Sequence, residues 1–300
     1  MKLEALLACF GQMSCVVTQS TSALIIGMLL FLVASGVTLI FGVLNIVNFA
    51  HGTLYMLGAY FAYAAYVPTQ SYVVAVLAGA LGVAAFGVLF ERFLISRVYG
   101  KDVLMQLLVC YGVVLIMDDL VKIVFGVDYK SMGMPAEFRL PPIRIGGGFV
   151  PPFYLFLIGM AAAIGAVLWF VIVKTRFGKL VRAAAVNPSM LSALGVRTNL
   201  LFAAVFALGS LLAGAAGALA APVRSLTPGM GFSILIESFI VTVIGGMGSI
   251  VGAFVAAILL GFTRSFGSLG FPLFVDGLMF LVMAVVLVFK PSGLFGRTLR

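Results

Sequence analysis

Residues Ile158–Val173 read IGMAAAIGAVLWFVIV, and Leu278–Phe289 read LMFLVMAVVLVF. Neither run holds a charge or alternates polar with apolar positions. A chain crossing lipid must satisfy its own backbone polar groups, which leaves α-helices or closed β-barrels. Barrel strands alternate polar and apolar residues over short segments. These runs are continuously apolar, so they read as helices. Working outward, the rest of the chain has the same character. No charged residue lies between Glu4 and Glu91, and further charge-free gaps cover 145–173, 198–223, 238–263 and 277–289. A spanning helix needs about 20 apolar residues, so the first gap alone holds three or four passes. The sequence predicts an all-α polytopic transmembrane bundle of eight to ten membrane segments, some short or broken, forming one domain over 1–300.

Composition excludes the alternatives. Of 300 residues, 63% are hydrophobic, with 18 basic and 9 acidic side chains. A soluble globular chain of this length carries roughly 75 charged residues. A soluble enzyme, a disordered chain and a nucleic-acid-binding domain are all ruled out. The net charge is +9, but there is no basic run of nucleic-acid type. The Lys and Arg residues sit in loops, where they read as topology signals and lipid-headgroup contacts. Cys9, Cys15 and Cys110 are odd in number and lie in apolar runs. They read as small buried hydrophobes rather than disulfide partners or metal ligands. Leu6-Leu7-Ala8-Cys9 looks like a lipoprotein cleavage box, but too little apolar chain precedes it for a signal segment.

Two loops fix the orientation. Residues 174–197 hold Lys174, Arg176, Lys179, Arg182 and Arg197 without an acid, whereas 126–150 balance Lys130, Arg139 and Arg144 against Asp128 and Glu137. The positive-inside rule makes 174–197 cytoplasmic and, one segment away, 126–150 external. The second loop, with Pro135, Pro141, Pro142 and the Gly146-Gly147-Gly148 run, reads as irregular. Arg92, Arg97 and Lys101 then face the cytoplasm, as does the tail with Lys290, Arg297 and Arg300. The side of the N-terminus depends on the number of passes before Glu91.

The cytoplasmic loop carries its own helix. Asn187 is an N-cap, Pro188 suits the first helical position, and Gly195 is a natural C′ stop. This predicts a helix over Pro188–Leu194 with Met190, Leu191 and Leu194 on an apolar face. That face rests either on the membrane or the protein's own helices, or in a cytoplasmic partner.

Within the membrane, Asn45, Asn48, His51, Gly52 and Tyr55 fall on one arc of roughly 120° if the segment is helical. Such a face lines a wet path or bonds between helices. Gly245, Gly246 and Gly248, followed by Ser249, mark a second interruption, either close packing or a broken helix. Paired interruptions in two halves of a chain point to a transport path. Glu237 stands either in that path or solvated at the interface. Asp118 and Asp119 lie one turn from Lys122, a local ion-pair arrangement. With one histidine and no nearby acid, no metal or other cofactor is expected. No phosphate loop and no nucleophile elbow occur, so the chain itself is not an enzyme, and any ATP is hydrolysed elsewhere.

These residues resemble a known family. Leu39–Gly52 with Met56, Gly58 and Tyr60 is similar to the N-terminal signature of branched-chain amino-acid ABC transporter permeases, of the LivH-type subunit. Arg182–Ala185 through Asn187-Pro188 to Leu194-Gly195-Val196, then Ala213-Gly214 and Ala216-Gly217, resembles the family's coupling loop and next helix. Val243–Ser249 resembles its glycine motif, and Lys290–Gly296 its ending. The four blocks span about 36–296 in family order.

The resemblance implies a translocation subunit of an ATP-driven importer for branched-chain amino acids or related small amino acids and amides. It implies a second related permease, two cytoplasmic ATPase subunits and an extracytoplasmic binding protein as partners. Arg182, Asn187, Pro188, Met190, Leu191, Leu194 and Gly195 would form the ATPase-coupling element, though the loop lacks the acidic residue of the broader permease class. The alternative is a secondary transporter or channel acting alone, for which Glu237 is the one plausible ion-coupling group.

Overall fold

A computed structural model of the protein describes residues 3–296. Arg297 and Arg300, expected in the cytoplasm, lie outside the described residues. The elements run α1 (Leu3–Phe10), α2 (Met13–Leu44), α3 (His51–Thr69), α4 (Tyr72–Phe93), α5 (Val103–Phe125), β1 (Ile143–Ile145), β2 (Gly148–Val150), α6 (Pro152–Lys174), α7 (Arg176–Val186), α8 (Pro188–Ala193), α9 (Thr198–Ala220), α10 (Met230–Gly245), α11 (Ile250–Gly270) and α12 (Val275–Phe289). The helical bundle is as expected. Six helices are long and apolar enough to cross a membrane, and α10 is a shorter apolar one; the expected eight to ten segments are not all reached on that measure. The first charge-free gap holds three long helices and the short α1.

The 32-residue α2 is about 48 Å long at 1.5 Å per residue, and the bundle is built around it. It packs along α11, α9, α10 and α6. Small residues allow these approaches, as usual where lipid supplies no hydrophobic drive between helices. A Cβ on Gly36 of α2 would stand 2.7 Å from the Gly209 carbonyl oxygen of α9, and one on Gly27 2.9 Å from that of Ala257 on α11.

The two loops sit at opposite ends of α2. The 126–150 loop is more regular than its prolines and glycines suggest. β1 and β2 pair antiparallel, Ile143 opposite Val150, through a two-residue turn in which Gly146 and Gly147 have φ of 54° and 83°. A turn with both central residues at positive φ matches strand twist and favours Gly-Gly. The hairpin lies on the first turns of α2, where Gly148 meets Ser14, Val17 and Thr18. At the other end, Val181 and Ala184 of α7 and Leu191 of α8 join Leu39 and Val43 of α2 in one apolar cluster.

Cys9 and Cys15 form a disulfide across the α1–α2 elbow, their Cα atoms 5.2 Å apart. The reading of all three cysteines as buried thiols holds only for Cys110. Cys15 lies 6 positions after Cys9, and the break between helices at Gly11-Gln12 brings them together, which apolar composition alone does not reveal.

Candidate functional site

The polar positions expected on one helical face do not share a helix. α2 ends at Leu44, and Asn45 caps it in the left-handed region at φ 51° and ψ 34°. Asparagine tolerates that conformation better than most side chains. Asn48 lies in the connection, where its Oδ1 accepts from the Ala50 backbone N–H at 3.0 Å. Two asparagines three residues apart thus break the helix by capping, as their short side chains favour. Only His51, Gly52 and Tyr55 are helical, in the first turns of α3. Asn45 is exposed, whereas Asn48, His51, Gly52 and Tyr55 are buried.

His51 is a brace. Its Nε2 lies 3.1 Å from the Val33 carbonyl oxygen of α2. A carbonyl only accepts, so Nε2 carries the proton and donates. The ring also abuts Gly36. Gly52 meets the Gly231 carbonyl of α10 with no room for a methyl group.

Gly245, Gly246, Gly248 and Ser249 form the turn between α10 and α11, not a break within one helix. The Ser249 hydroxyl caps α11 by accepting from Gly252 N–H at 3.1 Å. The C-terminal segment docks on this turn. Leu294 N–H donates to the Ile244 carbonyl at 2.7 Å, and Phe295 N–H to that of Gly245 at 3.0 Å. These are carbonyls a helix end leaves without partners. Gly246 and Gly293, at φ 95° and 79°, face each other there. The 243–249 and 290–296 motifs are one structural unit, beside Gly42 of α2.

Glu237 is buried on α10 and ion-paired with Arg264 of α11, which removes the reading of a solvated interfacial carboxylate. Its Oε2 has no hydrogen-bond partner. Arg224 stands in the α9–α10 connection, where its backbone N–H donates to the Ala220 carbonyl at 2.9 Å. Ser265 donates to the side chain of Gln19 near the start of α2 at 2.7 Å, and Leu226 bridges to Lys130 of the 126–150 loop. The cluster therefore lies toward the hairpin end. Sequence reading missed Arg264. Glu237 and Arg264 flank the charge-free gap 238–263, and two charges at the open end of one helical hairpin were the available signal. Lys122 pairs with Asp119 at 2.8 Å, as expected, whereas Asp118 turns inward toward Tyr60 and Gly229.

At the opposite end, the loop folds as two helices rather than one. α7 buries Gly178, Val181 and Ala184, and its Arg182 donates to the Ile172 carbonyl of α6. α8 is capped as expected: Asn187 Oδ1 accepts from Met190 N–H at 2.9 Å, Pro188 takes the first position, and Gly195 follows at φ 84°. Leu191 does not share the outward face. It is 7% exposed, against 63% for Met190 and 72% for Leu194. Beside α8, a cavity of about 670 Å³ is lined by Glu91, Arg92, Tyr99, Ser192 and Arg197. Tyr99 donates to Glu91 at 2.6 Å; burial and that carboxylate push its hydroxyl well above the usual phenol range. Among the described residues no cluster of metal-ligating side chains occurs.

The model of the family described as branched-chain amino acid transport system, permease component, matches residues 20–288. This chain belongs to that permease family. The permease is 29% identical to the high-affinity branched-chain amino acid transport system permease protein BraD of Pseudomonas aeruginosa, over 93% of this chain and 95% of that one. It is 27% identical to the corresponding protein LivH of Escherichia coli K12, over 89% and 91%. Among solved structures it is similar to PsaBC from Streptococcus pneumoniae in complex with Fab, at 13% identity, 89% of each chain and a TM-score of 0.49. The permease is a multi-pass protein of the cytoplasmic membrane.

Proposed function

We propose that the permease is the translocation subunit of an ATP-driven importer for branched-chain amino acids. It pairs with a second, related permease, receives substrate from an extracytoplasmic binding protein, and is driven by two cytoplasmic ATPase subunits seated on the α7–α8 loop. The observation that carries this reading is the family match over 20–288, on a chain whose basic loop presents a capped, apolar-faced helix. α3, α5 and α10 complete the membrane domain with the six longer spans, making nine segments. The 174–197 loop is cytoplasmic and the 126–150 loop external. Alternating access moves the helices around α2, with substrate passing from the Tyr55–Glu237 level toward the Gly245–Ser249 turn. The ATPase grips Met190, Leu194 and Val186, which is 76% exposed, while Leu191 fastens α8 to the permease. A carrier working alone would need a free carboxylate for ion coupling, and Glu237 is occupied by Arg264.

The test is purification of a tagged permease from its native membrane, followed by reconstitution. ATPase subunits and a second permease should co-purify. Leucine uptake into proteoliposomes should require ATP and the binding protein. ATP-independent uptake by the lone chain would overturn the reading.

A further inference from the structure

The cavity beside α8 gathers charges without pairing them. Glu91 and Arg92 line it from the end of α4, and Arg197 lines it from the start of α9. Among the described residues the ion pairs are Lys122–Asp119 and Arg264–Glu237; Glu91, Arg92 and Arg197 are in neither. Glu91 is 3% exposed, and Tyr99 is the one donor that reaches its carboxylate among the described residues. A buried carboxylate is costly without a charged partner and further donors, and it has room for about four hydrogen bonds. Opposite charges that line one cavity without touching leave space for a ligand that pairs with each. The apolar surroundings say more about that ligand. α4 arrives at this end of the bundle and α9 leaves from it, so Leu89 stands one turn deeper in the membrane than Arg92, and Leu200 one turn deeper than Arg197. Both leucines are exposed, and Leu200 itself lines the cavity.

We propose that this cavity binds the headgroup of an aminophospholipid, phosphatidylethanolamine. Arg92 and Arg197 take the phosphate, Glu91 takes the ammonium group, and the acyl chains lie along Leu89 and Leu200. Basic pockets between membrane helices suit phosphate headgroups, and the planar fork of arginine matches phosphate oxygens with parallel hydrogen bonds. The carboxylate selects among headgroups. It repels one whose only charge is the phosphate and pairs with one that also carries an amine. A basic side chain from a partner protein would pair with Glu91 but meet two arginines of its own sign. A soluble phosphate ester bearing an amine presents the same charges as the headgroup, but it has nothing to cover the exposed leucines. The Ser192 hydroxyl of α8 lines the same cavity, so a headgroup seated there joins the end of α4 to the α8–α9 junction. The site rests on the membrane placement of the chain and not on the substrate or partners of the functional reading above.

The experiment is native mass spectrometry of the tagged permease, purified with its bound subunits, delipidated and titrated with three ligands. These are dioctanoyl phosphatidylethanolamine, dioctanoyl phosphatidylglycerol and soluble phosphoethanolamine. Wild type should bind the ethanolamine lipid at least tenfold more tightly than either of the others. Arg92→Gln combined with Arg197→Gln, two exposed changes, should weaken that lipid tenfold or more. Lys179→Gln, an exposed change on α7 outside the cavity, should not. Glu91→Gln, which still accepts from Tyr99, should remove the preference, with affinity for the ethanolamine lipid falling and that for the glycerol lipid held or raised. Equal affinity of wild type for the two lipids would overturn the assignment, as would phosphoethanolamine binding as tightly as the lipid. The double arginine variant within twofold of wild type would also overturn it. Loss of ATPase subunits from that variant, with lipid binding unchanged, would give the cavity to the ATPase instead. None of these outcomes bears on the importer reading, which uptake tests separately.

Discussion

One methyl group is a large change where helices touch through glycine. Added to Gly36, it would stand 2.7 Å from the Gly209 carbonyl oxygen and 2.9 Å from the His51 ring. Neither is the free end of a flexible chain: one is backbone, and the other is held by Val33. Overpacking of this kind costs about 1–3 kcal/mol. Gly159 of α6 is the control, because nothing lies within 4 Å of its Cβ position and alanine is better than glycine in a helix by about 1 kcal/mol. Gly36→Ala should lower the apparent unfolding temperature of the detergent-solubilised permease, and Gly159→Ala should not. Equal midpoints would show that α2 and α9 separate readily. At this scale the sequence revealed residue types and not partners. Asn48, His51 and Glu237 stood out as polar in an apolar setting. That His51 reaches back to Val33 depends on the chain reversing between α2 and α3, through the left-handed Asn45 and the Asn48 turn.

An element's ends were more legible than its faces. Asn187, Pro188 and Gly195 are capping residues whose local chemistry places α8 almost to the residue. Which apolar side chain turns inward depends on what α8 rests on, and α7 was hidden because a Lys- and Arg-bearing stretch reads as a connector. The consequence separates two roles that periodicity joins. Leu191 belongs to the buried apolar cluster where α8 rests on α7 and α9, so Leu191→Asp places an unpaired charge in an apolar cluster. The amount of folded permease in the membrane should fall. Leu194→Asp changes an exposed position and should leave that amount unchanged while ATPase subunits are lost from the purified complex. The check is permease abundance by immunoblot beside the ATPase-to-permease ratio after affinity purification. Retention of ATPase by Leu194→Asp would remove the exposed face of α8 from the interface. The same lesson holds for the 243–249 and 290–296 motifs, legible separately, whose unity rests on hydrogen bonds between segments 50 residues apart.

For the whole molecule, charge asymmetry and geometry bear on the same question. Sequence alone separates a basic loop from a balanced one, and left the side of the N-terminus open because it could not say how many passes precede Glu91. The fold places the α1–α2 elbow at the hairpin end of α2 and the α7–α8 loop at the other end. If the basic loop is cytoplasmic, the elbow is external, and its disulfide then lies in the compartment where disulfides form and persist. Basic-residue bias and cysteine oxidation are independent signals, and here they require the same orientation. Single cysteines at two exposed positions test it in intact cells with an impermeant thiol reagent. Arg139→Cys should be labelled from outside, and Lys179→Cys only after permeabilisation. Cys110 is fully buried and should stay silent in either case. Cys15, the less buried member of the disulfide, should be unreactive until a reductant is added, then become labelled without permeabilisation. Labelling of position 179 in intact cells would invert the topology. Free thiols at Cys9 and Cys15 before reduction would show that the elbow is held by packing, such as Leu6 against Gly270 and Phe10 stacked on Phe266.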